Sequence, residues 1–222
     1  MTRPRAIVSW SSGKDSAFAL WKIREANEVD VVGLLTTVTR EFGRVSMHGV
    51  REELLAAQAR SLGLPLYRVE IPFPCPNEVY ERAMGEQIRA LEALGVSRMV
   101  FGDLFLEDIR AYREAKLAPT RIRPMFPLWG QPTRTLAGEM IASGLVAHLV
   151  CVDPKQLDRR FAGRRFDATL LADLPEPVDP CGERGEFHTF VSAGPMFSTP
   201  IGVMPGEVVE RDGFVFADLR PA

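Results

Sequence analysis

Two short stretches hold most of the residues able to do chemistry. The first is Ser11-Ser12-Gly13-Lys14-Asp15-Ser16, set between an apolar run over 5–10 and the apolar start of a helix over 17–23. That spacing predicts a strand handing over to a helix. Hydroxyls, a glycine and a lysine at such a junction can wrap donors around a phosphate. The helix N-terminus adds unpaired amides and the positive end of its dipole. Gly13 is free to take a positive φ and admit a close backbone approach, while Asp15 or Ser16 can serve as a helix cap. The second stretch, residues 179–190, packs Asp179, Glu183, Glu186, Cys181, His188 and the glycines 182 and 185 into one loop. So dense a polar loop points to a substrate site.

The first stretch is not a Walker A loop. Position 9 is serine where that motif needs glycine, and Asp15 follows Lys14 where it needs Ser or Thr. It resembles instead the PP-loop of ATP pyrophosphatases, Ser-Gly-Gly-x-Asp-Ser, with Ser12 in place of one glycine. A plain strand-to-helix turn is the alternative reading.

The elements that must position these stretches follow from periodicity. Apolar runs over 29–38, 66–71, 97–102 and 146–152 read as further strands, and helical patterns cover 50–62, 78–94 and a segment beginning at Thr133. Strands alternating with helices at this spacing imply an α/β fold, a doubly wound parallel sheet with 146–152 as its fifth strand. Right-handed crossovers then bring residues 11–16, Thr36-Thr37, Asp103 and Asp153 to one rim, where ligands bind in such sheets. Asp103, at a strand end near a phosphate loop, is suited to holding magnesium or orienting a nucleophile. Residues 39–48 and 117–132 read as loops, and His48 as a cap or satisfied loop residue in preference to a catalytic one. The cationic stretch 155–166 suits an anionic substrate or a solvated surface equally. The tail over 201–219 reads as a hairpin turning at Asp212-Gly213.

The totals set the limits. The chain has 222 residues, 46% hydrophobic and 25% charged, with formal net charge -2. These describe an ordinary globular protein without a footprint for bulk nucleic-acid binding. No apolar run approaches the roughly 18 residues that cross a bilayer, so no membrane partner is expected and the expected location is the cytoplasm. Cys75, Cys151 and Cys181 form no Cys-x-x-Cys pair, which argues against a disulfide framework or a zinc site.

With both dense stretches in view, the sequence resembles the diphthine-ammonia ligase (diphthamide synthase) family of PP-loop ATP pyrophosphatases. The resemblance rests on residues 11–16, Met47-His48-Gly49-Val50, Gln58-Ala59, Gly102-Asp103 with the helix carrying Arg110 and Arg113, the 181–186 loop, and Gly194-Pro195-Met196-Phe197. Gly102-Asp103-Leu104 and the 182–189 stretch depart from the eukaryotic and archaeal pattern and resemble the bacterial-type branch, in which the acceptor identity is open. The resemblance implies an adenine nucleotide alpha hydrolase-like domain over 1–128 and a smaller α+β acceptor-substrate domain over 129–222, with 146–152 assignable to either. It implies ATP and Mg, with Ser11, Ser12, Gly13, Lys14, Asp15, Ser16, Thr36 and Gly102 on the nucleotide and Asp15 and Asp103 on the metal. Lys14, Asp103, Glu183, Glu186 and His188 are the implied catalytic set, with Glu183, Glu186 and His188 orienting the acceptor or deprotonating ammonium, a role that suits a near-neutral imidazole. The implied reaction adenylates a carboxylate, of a small molecule or a modified protein side chain, and transfers ammonia or an amine to it. A PP-loop tRNA-modifying enzyme and a non-catalytic ATP sensor are the alternatives, and a homodimer is left open.

Overall fold

Ala6, Ile7 and Val8 are completely buried, because β1 (Arg5–Ser9) has a strand on either side and helices over both faces. A computed structural model of the chain describes residues 2–222. In it β1 pairs in parallel with β2 (Asp30–Thr39) and with β5 (Val96–Val100). Beyond β2 lies β4 (Leu66–Ile71), and beyond β5 lies β6 (Arg123–Met125), both parallel. A two-residue strand, β3 (Arg44–Val45), folds back antiparallel on the end of β2 inside the stretch expected to be loop.

The side-chain alternation of a strand then sorts the core. Ala6 and Val8 pack with α1 (Lys14–Ala26), α2 (Glu52–Leu62) and α5 (Thr133–Ala142). Ile7 packs on the opposite face with Ile88 and Leu91 of α3 (Asn77–Ala93) and Leu117 of α4 (Glu107–Leu117). Strand order reverses between β1 and β5, which makes the crevice at their carboxyl ends the expected ligand position. Ser11–Ser16 leaves one side of that crevice and Gly102-Asp103 the other.

The fifth parallel strand differs from the sequence expectation. It is β6, whose three residues include Pro124 at a sheet edge, where a missing N–H is tolerated. So short a strand has no readable period. The strongly apolar β7 (Val146–Val152) belongs instead to an antiparallel sheet ordered β8 (Phe187–Ala193), β7, β10 (Phe214–Pro221), β9 (Val203–Arg211). Asp153 therefore leaves the rim, and its carboxylate accepts from the Lys155 amide and the Gln156 side chain. The hairpin β9–β10 turns at Asp212 (φ 51°) and Gly213 (φ 83°) as expected. No helix among the described residues is long and apolar enough to cross a membrane.

Candidate active site

The loop after β1 is tightened by its own hydroxyls and held from outside by β8. Ser11 Oγ lies 3.1 Å from Ser16 Oγ and accepts the Gly13 amide at 3.3 Å, and Ser16 Oγ donates to the Gly13 carbonyl at 3.0 Å. The helix begins at Lys14 with Gly13 as its N-cap, one turn earlier than sequence spacing suggested, and neither Asp15 nor Ser16 caps it. A partner from another element does so: Thr189 Oγ1 accepts the Lys14 amide at 3.0 Å. The amides of Asp15 and Ser16 find no carbonyl acceptor, so the helix start still presents donors to an anion.

Backbone conformation inverts the expected roles of two residues. Gly13 is extended at φ −89°, and Ser12 takes the left-handed region at φ 70°. Gly13 is small for a different reason, since a Cβ there would lie 3.1 Å from both His48 Cε1 and the Thr189 carbonyl. The Ser12 carbonyl accepts from the Val191 amide and from Gln58 Nε2, each at 3.0 Å. Gln58 also donates to the Val191 carbonyl and accepts from Trp10 Nε1, so one buried amide side chain joins the phosphate loop, α2 and β8.

Across the crevice Gly102 abuts the helix start. A Cβ at Gly102 would lie 2.8 Å from Asp15 C and 2.9 Å from Ser16 N. Asp103, beside it, is clamped by Arg113 through Nε at 2.6 Å and Nη2 at 3.0 Å, and Arg113 stacks 4.5 Å over the Phe101 ring. Together these residues line a polar cleft of about 240 Å³ whose other wall carries Glu183, His188 and Thr189.

Charge inside the cleft is largely paired. Lys14 is buried, with Nζ 2.8 Å from Asp15 Oδ2 and hydrogen-bonded to the Cys181 carbonyl. Burial opposes its charge, but Asp15, Cys181 and Glu183 together more than offset this and keep the ammonium above its usual pKa. Glu183 Oε1 accepts the Leu104 amide at 2.8 Å. Burial nevertheless pushes its pKa up to about 7, because a partly dehydrated carboxylate is costly to charge. His188 moves the other way, to about 4, through burial and then the nearby Lys14 cation. Its ring centroid lies 4.6 Å from that of His48, whose Nδ1 faces the Thr189 carbonyl at 3.3 Å. A carbonyl only accepts, so that nitrogen carries the proton.

Several expected site residues stand elsewhere or are otherwise engaged. Glu186 is off the cleft wall and 1% exposed. Its two oxygens accept the Asp179 and Arg184 amides, which folds the 179–186 loop. Thr36 is buried, with Oγ1 unpartnered, and is also off the wall. The cationic stretch contributes nothing to the cleft either: Arg164 pairs with Asp173 and Arg159 with Glu210. Asp15 and Asp103 line the cleft, but each already faces a cation. Among the described residues no three His, Cys, Asp or Glu side chains cluster as metal ligands. Burial holds His188 neutral at pH 7, which suits orienting more than proton transfer, and the group whose pKa it brings near neutrality is Glu183.

Gln58, Thr189, His48 and Arg113 were not assigned chemistry from sequence. One signal was present: Gln58 falls on the apolar stripe with Leu54, Leu55 and Leu62, and a polar residue there needs a buried partner.

Two family models match the chain: the diphthamide synthase N-terminal domain over residues 4–116 and the diphthamide synthase C-terminal domain over residues 132–217. A diphthine--ammonia ligase from Danio rerio is 27% identical over 97% of this chain and 92% of its own length. The diphthine--ammonia ligase of Homo sapiens is 25% identical over 97% of this chain and 88% of its own. Among solved structures, the U34-tRNA thiolase NcsA from Methanococcus maripaludis overlaps at TM-score 0.39 and 13% identity. That overlap covers 64% of this chain and 58% of the thiolase, and is too loose to bear on function.

Proposed function

The chain belongs to the diphthamide synthase family, and on that premise we propose that it is an ATP-dependent amide ligase. It adenylates a carboxylate, releases pyrophosphate, and passes the acyl group to ammonia or an amine, a reading supported by its likeness to proteins named diphthine--ammonia ligase. The observation that carries this reading is the helix start at Lys14 facing Glu183, a carboxyl poised to titrate near pH 7, across one cleft.

The acceptor carboxylate attacks the α-phosphorus and the bond to the pyrophosphate oxygen breaks. Ser11, Ser16 and the free amides of Asp15 and Ser16 hold the departing pyrophosphate, and the Lys14 ammonium offsets its charge. Ammonia then attacks the acyl carbon, AMP leaves, and Glu183 takes a proton from the attacking nitrogen. Neutral His188 orients the acceptor. Arg113, bridging Asp103 to the Phe101 ring, sets the wall opposite. The nucleoside occupies the adjoining chamber of about 270 Å³ between α3 and α4, which meets the cleft at Ser9, Phe101 and Arg113. If magnesium accompanies the nucleotide, Asp15 and Asp103 are the cleft carboxylates that would face it, and it would supply positive charge against the departing pyrophosphate. Division into a nucleotide unit over 1–128 and an acceptor unit over 129–222 is part of the same proposal.

The test is incubation with ATP, ammonium and candidate carboxylates, with the nucleotide products resolved. AMP with pyrophosphate and an amide is expected. ADP with orthophosphate overturns the reading.

A further inference from the structure

A second cavity, of about 400 Å³, opens beside the cleft between the end of β2 and the β9–β10 hairpin. His188 belongs to the walls of both. The remaining wall is chiefly apolar and comes from both sheets and the segment after β4: Val45, Ile71 and the following Phe73 on one side, Val150, Val209 and Phe216 on the other. Its volume falls in the range of small-molecule sites, roughly 300–1,000 Å³.

Several of the polar groups in that wall are already matched to one another. Arg44 pairs with Asp218 at 2.9 Å, and Arg51 from outside the wall holds the same carboxylate at 2.7 Å. Thr39 Oγ1 lies 3.0 Å from Ser46 Oγ. The Arg211 guanidinium lies over the Phe42 ring, with Asp212 next to it on the rim. Apart from Arg211 and Asp212 at the hairpin and His188 on the cleft side, what is left to meet a ligand is hydrocarbon and aromatic surface, which favours an uncharged apolar body over a nucleobase that must be read along its polar edge. The chamber between α3 and α4 differs in this respect, since Tyr80, Glu81, Arg89 and Thr120 line it.

We propose that this cavity binds the non-reacting part of the acceptor, and that the acceptor is a small carboxylic acid with an aryl or branched-alkyl body whose carboxylate reaches the cleft past His188. The assignment rests on the ligase reading above and adds the substrate class to it. Exposed Phe42, Met47 and Phe73 surround the mouth and supply the apolar entrance such an acid would use.

Binding and turnover are tested separately. Fluorine NMR is used to titrate the wild-type chain with 4-fluorophenylacetate and with 2-fluorosuccinate, alongside Val209→Trp, which fills the cavity, and Val209→Asp, which charges its wall. Val209 is 37% exposed on β9, so both variants are expected to fold. Saturable binding of the aryl acid alone is expected, weakened at least tenfold in both variants, with ATP affinity held within twofold. Equal binding of the two acids, no binding of either, or variants that leave the aryl acid untouched overturn the proposal. So does loss of ATP affinity in Val209→Trp, which would make the cavity the nucleoside site. In the turnover arm, phenylacetate, 3-phenylpropionate and 4-methylvalerate are expected to drive AMP formation above succinate and citrate. Turnover confined to a carboxylate carried on a protein side chain also overturns it. Should the chain form ADP, the ligase reading fails while the binding arm still decides what the cavity holds.

Discussion

Thr189 Oγ1 accepts the backbone N–H of Lys14 at 3.0 Å although 175 residues separate them. A helix whose own sequence supplies no side-chain cap is thus capped from the second sheet. Two residues further along the same strand, the Val191 amide holds the Ser12 carbonyl. Because β8 begins where the 179–186 loop ends, these bonds tie the phosphate loop to the polar loop that carries Glu183. Thr189→Val keeps the shape and removes the acceptor. It should destabilise by about 1 kcal/mol and weaken ATP binding several-fold, whereas Thr189→Ser should retain both. Urea titration and calorimetry with ATP read the two effects.

Ser12 sits at φ 70° with a buried hydroxyl that has no partner. A left-handed non-glycine residue costs about 1–2 kcal/mol, and an unsatisfied buried hydroxyl about 1–3. Ser12→Gly removes both, against a chain-entropy cost of roughly 0.5–1 kcal/mol. The variant should therefore be more stable by about 1–4 kcal/mol, seen as a higher urea midpoint at unchanged slope. A lower midpoint would mean that the hydroxyl is satisfied in solution.

Much of the fold was legible in the sequence because strands β1, β2, β4 and β5 are apolar runs bounded by turn residues, and α2 and α3 carry a helical stripe. The phosphate loop was legible as composition between such elements. The tertiary docking of β8 on that loop was not, since a threonine in an apolar strand does not announce a helix end 175 residues away. Nor was the allocation of β7, because a buried run fits a parallel or an antiparallel sheet equally well. Glu183 and Glu186 are three apart in one loop and look alike in sequence. Burial against the Leu104 amide tunes the first, while the amides of Asp179 and Arg184 consume the second. Only three-dimensional neighbours separate a titrating group from a loop fastener.

Gly102 is required by close approach. An added methyl would meet the Asp15 carbonyl carbon and the Ser16 nitrogen at under 3.0 Å, and backbone on that side cannot swing away. Gly102→Ala should cost about 1–3 kcal/mol as overpacking. It should also displace the free amides of the helix start, lowering ATP affinity at least tenfold. Affinity and urea midpoint measured on the same sample separate a local shift from general unfolding.

His188 makes the folded state sensitive to acid. Its pKa is about 4 in place and 6.5 when free, so between these values the unfolded chain binds the extra proton. Stability from this group is complete above pH 6.5 and declines as pH falls towards 4, by at most about 3 kcal/mol. Buried His48 shifts in the same direction. His188→Gln should flatten the fall in urea midpoint between pH 6.5 and 4. An unchanged slope would show that the imidazole is not buried neutral in solution.

Glu183 sets the expected pH dependence of turnover. With its pKa raised to about 7 and the carboxylate as the proton-accepting form, kcat should climb from pH 6 to 8 with an inflection near 7. Glu183→Gln keeps an oxygen for the Leu104 amide but cannot take a proton. The variant should lose the inflection and fall 10²- to 10⁴-fold in kcat, with ATP affinity nearly preserved. Stability supplies a cross-check of opposite sign. The folded carboxyl holds its proton where the unfolded one, near 4.5, has already released it, so this group destabilises progressively as pH rises from 4.5 to 7. Glu183→Gln should therefore be relatively more stable at pH 8 than at pH 4, while being far less active. A variant that lost activity and stability together at pH 8 would show that Glu183 serves the loop's structure and not proton transfer.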